Sequence, residues 1–154
     1  LKKQKRCCLK NLEIMKLLFT IILSVFLAKG CSEYKDLENV KMVYEANTRG
    51  YHKTVRIENK TFFVTNTRDG KPAEIKLTDA EWKSLADLFK KVDLSTYNEL
   101  EGATQQRHYD GKAHANLTIT TEDTVYTTKG FDHTIPPTPI KELVETILKL
   151  SEKK

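Results

Sequence analysis

A chain of 154 residues, 39% hydrophobic and 31% charged, has room for one domain and excludes a two-domain enzyme or a long repeat array. Its three cysteines lack the number and spacing of a disulfide framework or a zinc site. A formal charge of +5, from 26 basic and 21 acidic residues, directs attention first to nucleic acid and anionic membranes.

That charge is unevenly distributed. Seven of the basic residues and one of the acidic residues fall within residues 1–30, which leaves 19 against 20 in the remainder. Nucleic acid therefore drops out as a partner. Residues 1–14 (LKKQKRCCLKNLEI) begin with Leu and read as an over-extended upstream stretch. Met15-Lys16 then precedes an apolar run from Leu17 to Ala28, interrupted only by Thr20 and Ser24. A basic start, an apolar stretch of about 7–15 residues and small residues before a cut describe a secretory signal peptide, here over 15–30. The run is shorter than the roughly 18 apolar residues that suggest a spanning helix.

The junction Ala28-Lys29-Gly30-Cys31 resembles the lipobox of bacterial lipoproteins, with Ala28 where leucine is usual and an uncommon Lys29. The resemblance implies cleavage before Cys31, acylation of that cysteine with palmitate-like chains, and a cell-envelope address. The outer membrane is favoured over the inner, with the chain facing the periplasm or the surface. The rival reading is an uncleaved signal anchor. On the lipoprotein reading Cys7 and Cys8 are lost, and Cys31 is an anchor rather than a catalytic thiol. Each buried acyl methylene contributes about 0.8 kcal/mol, so two or more chains hold a small domain stably on a membrane. Residues 31–39 then comprise the lipidated cysteine and a polar tether, with Tyr34 and Leu37 as its apolar residues.

From Val40 the pattern has period two. Val40, Met42, Tyr44 and Ala46 alternate with polar residues up to Arg49-Gly50. Tyr51, Lys53, Val55 and Ile57 alternate likewise up to Asn59-Lys60, and TFFVTNT over 61–67 ends at the turn signal Asp69-Gly70. Glu74–Leu77 is a short fourth run. Thr78 with Glu81 makes a capping box, and Trp82, Leu85, Ala86, Phe89 and Val92 follow at helical spacing. Residues 93–112 form a long polar connection, a length associated with function or mobility.

Two further strands follow, with Ala115, Leu117 and Ile119 on one face of the first and Val125 inward on the second. FDHTIPPTP reads as a rigid crossing, with Thr138 capping and Pro139 at the first helical position. Ile140, Leu143, Val144, Ile147 and Leu148 form the stripe of a final helix. The order βββ(β)αββα predicts a single α+β domain over 40–152. The expected architecture is a two-layer sandwich, an antiparallel sheet of about five strands with two helices on one face.

The strings TRGYH, YDGKAHANLTI and GFDHTIPP, with the closing helix, resemble a set of small Bacteroidota lipoproteins of unknown function. That resemblance implies a fold and an address and no activity. In layout the chain is also similar to the emfourin-type inhibitors of thermolysin-like metalloproteases, with Arg49-Gly50 and Asp110 in corresponding places. Tyr51 stands where a second glycine is usual in that family.

Chemistry is sparse. His52, His108, His114 and His133, with Asp110 and Asp132, support a metal-dependent enzyme only if they gather at one end of the sheet, and their spacing matches no metal motif. Otherwise Asp110-Gly111 and Asp132-His133 read as turn builders whose side chains bond their own backbone. No nucleophile elbow or phosphate loop is present, so no catalytic residue, metal ligand or cofactor is assigned. Arg49, His52, Arg107, His108, Tyr109 and Asp110 are the candidate partner-binding residues, because Arg and Tyr carry interface energy. Function then reads as a membrane-anchored binding module, with protease inhibition as the alternative.

Overall fold

A computed structural model describes Leu37, residues 39–109 and residues 111–153. The expectations for residues 1–14, the signal peptide 15–30, Cys31, Tyr34 and Asp110 lie outside the described residues. Lys35–Lys154 forms one compact unit.

The fold is α+β, with an antiparallel sheet and two helices. Strands β1 (Lys41–Thr48), β2 (Tyr51–Glu58), β3 (Thr61–Thr65) and β4 (Ala73–Lys76) precede helix α1 (Asp79–Phe89). Strands β5 (His114–Thr120), β6 (Val125–Thr127) and β7 (Phe131–Asp132) precede helix α2 (Lys141–Ser151). The sheet order is β4-β3-β2-β1-β5-β6, with β7 also paired to β5. The sheet thus has seven strands rather than about five. The bracketed fourth strand of the expected order is formed as β4, and the strand not expected, β7, is two residues long; β6 and β7 occupy successive stretches of β5.

Alternation along β1, β2 and β5 buries one face and leaves the other open, the pattern of an antiparallel sheet covered on a single side. Met42, Tyr44, Val55, Ile57, Phe62, Leu117 and Ile119 supply the buried face. Both hydrogen bonds of the Thr78/Glu81 capping box are formed, and α1 turns Trp82, Leu85 and Ala86 inward. Helix α2 buries Leu143, Val144, Ile147 and Leu150 and touches α1. Leu37 is buried as well, so the chain joins the core just before β1.

The strand turns differ in kind. Asn59 and Lys60 both have positive φ, which matches the right-handed twist of the β2–β3 hairpin. Strand β4, at one edge, is short and carries Glu74 and Lys76, with Lys71-Pro72 just before it.

Three local expectations need correction. Val125 is exposed, because Tyr126 pairs opposite Ile119 and takes the inner position. A one-residue shift in register reverses every side chain. Thr138 makes no side-chain cap: Thr138–Ile140 is a 3-10 turn with Pro139 in its first turn, and α2 starts at Lys141. The connection 93–112 is pinned rather than free. Tyr97 is fully buried and donates to the Leu117 carbonyl at 3.1 Å, while Gly102 N–H donates to the Gly130 carbonyl at 3.0 Å.

Gly130 closes that connection and has φ of +112°, a conformation that L side chains rarely adopt. A Cβ there meets His114 Nε2 at 2.6 Å. Gly130→Ala is expected to cost about 1–3 kcal/mol, read as a lower denaturation midpoint in urea.

Candidate functional site

The inner row of the sheet at the β1–β2 end is Lys53–Ala46–Ala115–Phe131, across four strands. The two small alanines lie between a lysine and an aromatic ring. One row further in, Tyr44 sits between Val55 and Leu117. His133, just past β7, reaches this region and binds two tyrosines at once. Its Nδ1 lies 2.6 Å from Tyr44 Oη and its Nε2 lies 2.9 Å from Tyr51 Oη.

The imidazole therefore bridges the two phenols, and since a neutral ring has one N–H and one bare nitrogen, it donates to one tyrosine and accepts from the other. Burial, reinforced by Lys53 and Lys112 and opposed by Glu152, holds His133 below its ordinary pKa and keeps it neutral. Burial likewise pushes the Tyr44 phenol well above its usual value. Lys53 is unusual for a strand lysine: its side chain is only 9% exposed, with Nζ 3.8 Å from Glu152 Oε1.

A stability window follows from His133. Its folded pKa is depressed, so the unfolded chain binds the proton first, and stability falls as pH drops below about 6.5. Urea titrations at pH 7 and pH 5 are expected to show a larger loss in the wild type than in His133→Gln.

The second cluster centres on Asp132, which is fully buried. Its carboxylate accepts the backbone N–H groups of Gln106 at 2.8 Å and Arg107 at 2.9 Å, and pairs with Arg107 Nη1 at 3.3 Å. Arg107 also reaches Glu101 at 3.1 Å, and its side chain is only 3% exposed. Burial pulls the Asp132 carboxyl upward, but these bonds outweigh it and hold the pKa at about 2. Asp132 is therefore not bonding its own backbone. It ties the 3-10 turn Gln106–Tyr109 to the sheet from 25 residues away.

The sequence candidates separate accordingly. Arg49 is exposed at the β1–β2 turn, and His52 is half-buried beside it with Nε2 3.3 Å from Thr54 Oγ1. Arg107 is turned inward and committed to Asp132, while His108 and Tyr109 are exposed on the turn beside it. The four histidines do not converge. His52 and His114 lie on the outer face with Asn47 between them, roughly 10 Å apart at a strand spacing of about 4.8 Å. His133 is engaged with tyrosines of the inner face. Among the described residues no group of three or more His, Cys, Asp or Glu is placed to hold a metal ion. No helix among them is long and apolar enough to cross a membrane.

Sequence reasoning missed the Tyr44–His133–Tyr51 bridge. The inward position of Tyr44, and the place of Tyr51 at the exposed end of the same face, were readable from period two, but the partner is 82–89 residues away. Beside Tyr51 a cleft of about 220 Å³ opens between the β1–β2 turn and residues 66–68, lined by Arg49, His52, Asn66 and Arg68 among others. No protein-family model, curated protein or solved structure matches the chain.

Proposed function

We propose that this chain is a lipid-anchored binding module of a bacterial cell envelope, attached through Cys31 and engaging a partner through the β1–β2 end of its sheet. The observation that carries the reading is the apolar run 17–28 closing on Gly30-Cys31, just ahead of a domain whose core begins at Leu37. The cationic and aromatic side chains near Tyr51 support a binding role, since these residue types dominate interface energies. No catalytic residue or cofactor enters this reading.

Feeding cells an alkyne fatty acid is expected to label the wild-type chain and to leave Cys31→Ala unlabelled. Equal labelling of the two removes the anchor. The layout similarity to emfourin-type inhibitors favours a second reading, in which the exposed Arg49-Gly50 turn enters the cleft of a thermolysin-like metalloprotease. Undiminished activity of such a protease in excess chain removes that reading.

A further inference from the structure

We infer that the cleft between the β1–β2 turn and residues 66–68 is an oxyanion site that takes carboxylate or phosphate oxygens from a soluble ligand. The inference deepens the binding role proposed above and rests on it.

Charge is the first observation. Arg49 and Arg68 line one cleft from two separate turns, and no carboxylate lines it with them. Of the other described arginines, Arg56 pairs with Glu58, and Arg107 pairs with Asp132 and Glu101. Arg49 and Arg68 have no acidic partner among the described residues. Two guanidinium forks supply planar, paired donors suited to carboxylate and phosphate.

The wall of the cleft is the second. Tyr51 lines it, and its hydrogen bond with His133 Nε2 fixes that ring, while His133 is itself held by Tyr44. A ligand therefore meets a side chain already held in place, which lowers the ordering cost of binding.

Gly50 is the third. It does not adopt a left-handed conformation, and a Cβ built on it has nothing within 4 Å. Neither the turn nor the packing explains a glycine there. Its lack of a side chain leaves bare backbone beside the two arginines, as close approach of a ligand requires.

The site's place at the end of the strand opposite the chain's entry into the domain is the reason for taking a soluble ligand as the occupant. The chain enters the domain at the Lys41 end of β1, and the cleft lies beyond Thr48, about 23 Å along the strand at 3.3 Å per residue.

Isothermal titration of the detergent-solubilised full chain with inorganic phosphate and with a triglutamate peptide tests the inference. At low ionic strength at least one probe is expected to bind, and to bind about tenfold or more weakly to Arg49→Ala/Arg68→Ala at unchanged melting temperature. Tighter binding of phosphate supports the site with a phosphorylated ligand, and tighter binding of triglutamate supports it with an acidic peptide. Gly50→Ala is expected to weaken binding while keeping or raising stability, because the substitution restricts only the unfolded chain. Binding of neither probe, or equal binding by wild type and double variant, overturns the inference. So does a preference for anionic over neutral phospholipid vesicles that is lost in Arg49→Ala/Arg68→Ala, in place of binding to both soluble probes. Labelling at Cys31 is read separately, so failure of the cleft and failure of the anchor are distinguishable.

Discussion

Asp132→Ala is expected to destabilise the domain by about 3–5 kcal/mol, the loss seen when one member of a buried ion pair is removed. The substitution leaves the nearly buried Arg107 guanidinium without its inner partner and strips two backbone N–H groups of their acceptor. At this chain length the melting temperature falls by something on the order of 10–20 °C. Arg107→Met in the Asp132→Ala background should add far less than in the wild type, because the two residues form one unit. Additive losses in thermal or urea melts would show that the pair is not coupled. Asp132 also contributes an acid limit. Its folded pKa of about 2 lies below the usual carboxylate value, so its stabilisation is complete above pH 4 and lost as pH falls toward 2.

Trp82→Ala is the second large effect, about 3–5 kcal/mol from lost burial and the cavity left behind. Trp82 is 1% exposed and is the first inward residue of α1. Its indole Nε1 is buried without a hydrogen-bond partner among the described residues. That orphan donor separates two replacements. Trp82→Phe removes volume but also removes an unsatisfied polar group, so it should cost less than half as much as alanine. Urea midpoints of the two variants measure the difference, and equal losses would show that the indole N–H carries no penalty.

Much of the architecture was legible because it depends on neighbours in sequence. The alternation from Met42 to Ala46 and from Lys53 to Ile57 exposes its period in four or five residues. The Thr78/Glu81 box marks the start of α1 within a single turn. Elements decided by distant partners stayed hidden. Phe131–Asp132 becomes a strand only because β5 offers it an edge, and Val125 turns outward because Ile119 selects Tyr126 as its neighbour.

The candidate site divides in the same way. Arg49 and His52 were placed by the turn between two alternating strands. Arg107 carried the same surface chemistry in sequence, yet Asp132 draws it inward. The histidines illustrate the limit most directly. Spacing along the chain gave no hint that an intervening β1 would separate His52 from His114, or that His133 would bridge two tyrosines.

The short β4 edge bears on the proposed attachment to a membrane. On the proposed lipid anchor, copies of the domain share one membrane plane. An open sheet edge under such crowding is a template for strand pairing between neighbours. With four residues, Pro72 before it, and Glu74 and Lys76 upon it, β4 offers a passing copy little to zip onto. On that proposal, the edge limits strand pairing between neighbouring copies at β4.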